Sequence, residues 1–127
     1  MDPKVQVAVN GIIQQCMLMA AKAHQWHLAT RSYAAHVALN ELYDYLPDAA
    51  DKLSETCQGA GLKPLAITDK VTVTFSSPDQ AIKEIEAFMV EIEAVRKTVT
   101  DMPWLDNIFQ DIQGTIYGTL YKLKRLS

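Results

Sequence analysis

Trp26-His27-Leu28-Ala29-Thr30-Arg31-Ser32-Tyr33-Ala34-Ala35-His36 is the stretch on which the fold of this chain turns. Thr30 and Ser32 carry side-chain oxygens suited to capping a helix, and apolar residues recur at helical spacing on both sides of them. The stretch therefore reads as a turn between two helices. Upstream, Asp2 offers an N-cap, Pro3 suits a first helical position, and Val5, Val9, Ile12, Ile13, Cys16, Met19, Ala20 and Ala23 share a face, which predicts a helix over residues 3–28. Downstream, Val37, Leu39, Leu42, Tyr43, Leu46, Ala50 and Leu53 predict a second helix over 33–58, stopped by Gly59 and Gly61. Pro47 lies in its middle and is expected to kink or locally break it.

Beyond Gln58 the chain turns to Gly, Pro and β-branched residues, and Lys70-Val71-Thr72-Val73-Thr74-Phe75 reads as a short extended segment. Ser77-Pro78 and Asp101-Met102-Pro103 each offer a cap followed by proline, predicting helices over 78–100 and 103–125. Short connections make antiparallel hairpins of the first pair and of the second. The linker between the pairs, about 17 residues, can extend to roughly 50 Å, enough to return along a helix of about 40 Å. The expected fold is all-α, a single ferritin-like four-helix bundle over 1–127 with a long crossover between the second and third helices.

At 127 residues, 49% of them hydrophobic, the chain can bury a core without staples. Fifteen acidic residues against 12 Lys and Arg give no basic surface for nucleic acid; Lys4 at one end and Lys122, Lys124 and Arg125 at the other are too few for phosphate-dominated binding, so little DNA affinity is expected. No apolar run reaches the length of a membrane span and no secretory leader is evident, so the cytoplasm is the expected location and no membrane partner is expected. Cys16 and Cys57 lack the spacing of a metal or redox motif and are expected to be reduced and buried. Gly11, Gly114 and Gly118 lie within helical patterns, where glycine is expected to mark close approach of another helix.

The chemistry-bearing residues cluster near the quoted turn. All three histidines of the chain, His24, His27 and His36, fall within it or just before it, and Asp44, Asp48, Asp51 and Glu55 share one face of the second helix with His36. Asp51 and Glu55, one turn apart, can close on one cation, and imidazole with carboxylate suits iron, manganese or zinc. Yet His36 lies 15 residues before Asp51, about 22 Å along a helix, so one chain cannot complete such a site. Two antiparallel copies can, giving two equal sites about a twofold axis. A solvated acidic stripe and ordinary structural histidines, one favoured by the helix dipole, stand beside that reading.

The segment from Trp26 to His36, with Ala38-Leu39-Asn40-Glu41-Leu42-Tyr43 and Asp51-Lys52-Leu53-Ser54-Glu55, resembles the Dps-type miniferritins, and more closely small ferritin-like proteins of tailed bacteriophages. It lacks the Asn-Val-x-Gly turn usual in the former. The resemblance implies a homo-oligomer, a dimer at least and a dodecamer by analogy, that oxidises ferrous to ferric iron at an inter-subunit centre and stores the product. His27, His36, Asp51 and Glu55 would be catalytic and metal-binding, with His24 the alternative ligand on the first helix; zinc or manganese are other candidate metals, and Trp26, Tyr33 and Tyr43 would stand near enough to quench radicals. If the chain is phage-encoded, the host cytoplasm is its place. The rival expectations are a non-redox structural or interaction four-helix protein, and a helical ribonuclease suggested by Arg31-x4-His36.

Overall fold

In the computed structural model, which describes residues 1–68 and 77–127, the chain is all-helical, with no strand among the described residues. The helices are α1 (Pro3–Ala29), α2 (Tyr33–Gly59), α3 (Pro78–Arg96) and α4 (Pro103–Arg125). The extended segment expected over 70–75 lies outside the described residues.

Local chemistry sets most of the helix ends. The Asp2 carboxylate accepts from the Lys4 amide at 2.7 Å, Ser32 Oγ from the Ala35 amide at 3.2 Å and Ser77 Oγ from the Gln80 amide at 3.2 Å, each satisfying an otherwise unpaired first-turn donor. α4 differs. Its N-cap is Met102, which supplies no capping side chain, and Asp101 lies one residue too early. α2 continues through Pro47, which faces solvent, so the missing amide costs a single backbone bond without ending the helix.

One apolar cluster joins all four helices: Val9, Ile13, Cys16 and Trp26 from α1, Leu39, Leu42, Leu46 and Leu53 from α2, Ile85 and Ile92 from α3, and Leu105, Phe109, Ile112 and Ile116 from α4 are almost wholly buried. Removing that much apolar surface from water is the main stabilising term. α1 packs on α2 and α3, and α4 packs on α2 and α3, while α1 with α4 and α2 with α3 make no comparable contact among the described residues. Those two pairs are the diagonals of the square.

Ion pairs show which ends meet. Lys22, late in α1, binds Glu84, early in α3, at 3.1 Å; Lys124, at the end of α4, binds Glu86 at 3.0 Å; and Lys122 is paired with Glu41, early in α2. α3 thus begins, and α4 ends, at the pole that carries the α1–α2 turn, where Pro78 lies beside Ala29, Arg31 and Ser32. At the opposite pole, Arg96 bridges Glu93 and, at 3.1 Å, Asp106, tying the α3–α4 turn; the guanidinium holds the Glu93 carboxyl below its usual range, and both carboxylates raise Arg96. The Thr68 amide donates to Gln14 Oε1 at 2.8 Å, so the segment leaving α2 lies along the middle of α1.

The glycine expectation is corrected within the chain. A Cβ built at Gly11, Gly114 or Gly118 meets no heavy atom within 4 Å among the described residues, so no described helix needs the missing side chain. Cys16 and Cys57 are free and buried, as expected, and burial pushes the Cys16 thiol up to about 12 and raises that of Cys57 as well.

Candidate functional site

The turn at the α1–α2 pole gathers every imidazole of the chain into one cluster. Three residues, Thr30 to Ser32, reverse the chain, so the last turn of α1 lies against the first turns of α2 and His27 comes opposite His36. Their rings stack with centroids 3.6 Å apart and planes 21° from parallel. The bonding between them is reciprocal: His27 Nδ1 lies 2.7 Å from the His36 carbonyl oxygen, and His36 Nδ1 lies 2.9 Å from that of His27. A carbonyl oxygen only accepts, so each Nδ1 carries the hydrogen and each neutral ring keeps its free electron pair on Nε2. That is the tautomer of a metal-ligating histidine oriented by a backbone carbonyl.

The bond from His36 also has a structural use. His27 belongs to the final turn of α1, whose carbonyls run out of amide partners, and the imidazole of His36 supplies one from the next helix. His24 extends the group by stacking on Tyr43 at 4.1 Å with planes 8° apart, while Tyr43 meets His27 edge-on at 5.2 Å. Tyr43 in turn donates to Asn40 Oδ1 at 2.6 Å, and the Asn40 amide donates to Asp44 at 3.0 Å. His27 is 8% exposed, His36 half-buried and His24 exposed.

The structure thus brings together His24, His27 and His36 and leaves Asp51 and Glu55 apart from them. Both carboxylates lie on α2 with Asp44 and Asp48, exposed, and are about four turns (Asp51) and about five turns (Glu55) farther along the helix than His36. Among the described residues no group of three or more His, Cys, Asp and Glu side chains is arranged to hold a metal ion within one chain. Tyr43 is the member whose place in the cluster spacing alone did not fix; lying seven residues, two turns, beyond His36 on the same face, it could have been found from periodicity. Trp26 is fully buried in the core and Tyr33 is exposed, 6.4 Å from His36 between ring centroids.

The fold and this cluster define a four-helix, all-α protein whose histidines clasp a helical turn. Over residues 27–123 the chain matches a family described as a family of unknown function, DUF5856, and it belongs to that family. It is 31% identical over 109 residues, 84% of this chain and 82% of the relative, to an uncharacterized 14.6 kDa protein in the mobD-ri intergenic region of Enterobacteria phage T4. No solved structure matches it significantly. The resemblance to Dps-type miniferritins and to small ferritin-like proteins of tailed bacteriophages is therefore corrected, because the family match is to DUF5856 and the phage relative is an uncharacterized protein, with no match to a ferritin-like or Dps family. What suggested it was a few ligand-type residues on a pattern of four amphipathic helices, and many unrelated helical proteins share such patterns. No helix among the described residues is long and apolar enough to cross a membrane.

Proposed function

We propose that the protein binds a divalent metal, ferrous iron first, at sites that two copies complete together, and oxidises it there. The observation that carries this is the tautomer of the histidine pair: both Nδ1 atoms are committed to backbone carbonyls, and each Nε2 keeps the electron pair that a metal would take. Asp51 and Glu55 of a second copy would add oxygen donors, one turn apart and free in solvent. His24, with its ring centroid 6.0 Å from that of His27, is the alternative nitrogen donor on α1. Each ferrous ion would give one electron to dioxygen or peroxide from solution and become ferric.

The helix order supports the same reading. We take the connection between α2 and α3 as a ferritin-type crossover, since α3 starts at the pole where α2 starts, and residues 64–68 lie along α1 on the way back. Bundles of that connectivity commonly hold metal between helices.

The test is stopped-flow oxidation of ferrous iron with Asp51→Ala and Glu55→Ala. Both residues are exposed and their loss should leave folding within about 0.5 kcal/mol of the parent, so a lost oxidation phase reports the site rather than the fold. Unchanged rates in both variants would remove the assignment.

A second reading, a structural or interaction protein without redox chemistry, is favoured by one observation: the reciprocal bonds already satisfy the histidines as a clasp with no metal. Metal content separates the two readings. Protein purified without chelator should carry stoichiometric metal that is lost in His36→Ala; a metal-free parent in the presence of ferrous, manganese and zinc ions would leave the structural reading.

A further inference from the structure

α4 turns an uncommon face to solvent. Along it Gln110, Asp111, Gly114, Tyr117, Gly118 and Tyr121 are all exposed, and Asp111 is the one charge among them. Tyr117 is 62% exposed, Tyr121 59% and, on the neighbouring α3, Val90 70%. Together with Met89 and Leu120 these three side chains line an open groove of about 390 Å³. Two glycines within a helix weaken it unless something else needs their bare backbone, and nothing among the described residues does.

We propose that this face is the contact between two copies of the chain, with their α4 helices antiparallel about a twofold axis near Tyr117 and Gly118. The face is complementary to itself in that register. Tyr121 of each copy falls over Gly114 of the other, where the missing side chain leaves a notch, and the Tyr117 rings of the two copies meet beside the groove. Asp111 of each copy comes opposite Arg125 of the other, because α4 carries acidic residues in its first half and Lys122, Lys124 and Arg125 in its last turn. The antiparallel arrangement thus forms two ion pairs, whereas a parallel one would place Arg125 against Arg125. A twofold contact of one surface with itself closes at two copies. A different partner would have no reason to match this alternation of tyrosine, glycine and opposite charge in reverse order. The inference does not depend on metal binding, which uses α1, the α1–α2 turn and the acidic face of α2.

In chelator, so that no metal joins copies through α1 and α2, light scattering of the full chain at about 100 µM should give twice the chain mass. Gly114→Leu fills the notch and should return the mass to that of one chain, with helical circular dichroism and thermal melting intact, since residue 114 is exposed and a Cβ there meets nothing within 4 Å among the described residues. Gly118→Cys places thiols across the twofold axis at a separation that a disulfide spans, and mild oxidation should cross-link nearly all chains. The native thiols are buried and do not compete. An exposed cysteine placed on α1, Val7→Cys, should not cross-link. A parent that is monomeric at this concentration overturns the proposal, and so does an oligomer that survives Gly114→Leu and does not cross-link through residue 118.

Discussion

The stacked histidines allow an energy to be assigned piece by piece. In His27→Ala the ring loses its own Nδ1–H···O bond and its stacking on His36, but the backbone carbonyl of residue 27 remains, so the bond donated by His36 persists; His36→Ala is the mirror case. Taking about 1 kcal/mol for each hydrogen bond and about 1 kcal/mol for the stacked pair, each single variant should lose roughly 2 kcal/mol. The double variant loses two bonds and one stack, roughly 3 kcal/mol, while the sum of the singles counts the stack twice, at roughly 4 kcal/mol. The coupling energy is therefore about 1 kcal/mol. For a domain of this size each single should lower Tm by about 6–10 °C. Urea and thermal unfolding of the parent, both singles and the double, in chelator so that metal does not add its own stabilisation, measures all four corners. Singles that each cost under about 0.5 kcal/mol, or singles that add without coupling, would refute the clasp.

Two further outcomes are expected. Gly11→Ala, where a Cβ meets nothing within 4 Å, should stabilise the protein by about 0.5–1 kcal/mol through helix propensity, read as a small rise in Tm; a fall would mean that another surface covers α1 there. The raised thiols set an alkaline limit: from about pH 9, where an unfolded Cys16 loses its proton, up to about 12, where the folded one does, the unfolded state binds fewer protons, so stability should fall with rising pH. Cys16 alone accounts for about 1.4 kcal/mol per pH unit in that window, and Cys16→Ser or Cys16→Ala should flatten the profile of unfolding free energy against pH.

Periodicity reached most of the fold because three of the four helix starts are written in short-range chemistry, as Asp2-Pro3, Ser32 and Ser77-Pro78 all cap where spacing placed them. It overran α3 for an identifiable reason. Val99 continues the apolar phase and is fully buried, but by then the backbone has switched to tighter bonds, Thr98 N to Val95 O at 2.9 Å and Val99 N to Arg96 O at 3.0 Å, and a buried side chain in a turn looks like one more helical position. The three histidines were singled out correctly as a cluster, yet what they bond to was not legible, because a backbone carbonyl nine residues away leaves no trace in residue type. The separation of Asp51 and Glu55 from that cluster was legible, because 15 residues of helix between His36 and Asp51 hold them about 22 Å apart within one chain. The glycines misled for a third reason: their residue type signals a close approach, and no described neighbour in this chain makes one.

The placement of the chain ends has a practical consequence. α1 starts at the pole of the α3–α4 turn, whereas Lys122 and Lys124 bring the end of α4 to the pole of the α1–α2 turn. Anything joined before α1 and anything joined after α4 therefore leaves in opposite directions, separated by the length of a helix, about 40 Å. Copies fused in tandem would follow one another like beads on a rod with only a short tether. A circular permutant, by contrast, would need a new strap of at least a dozen residues laid along the outside of the molecule.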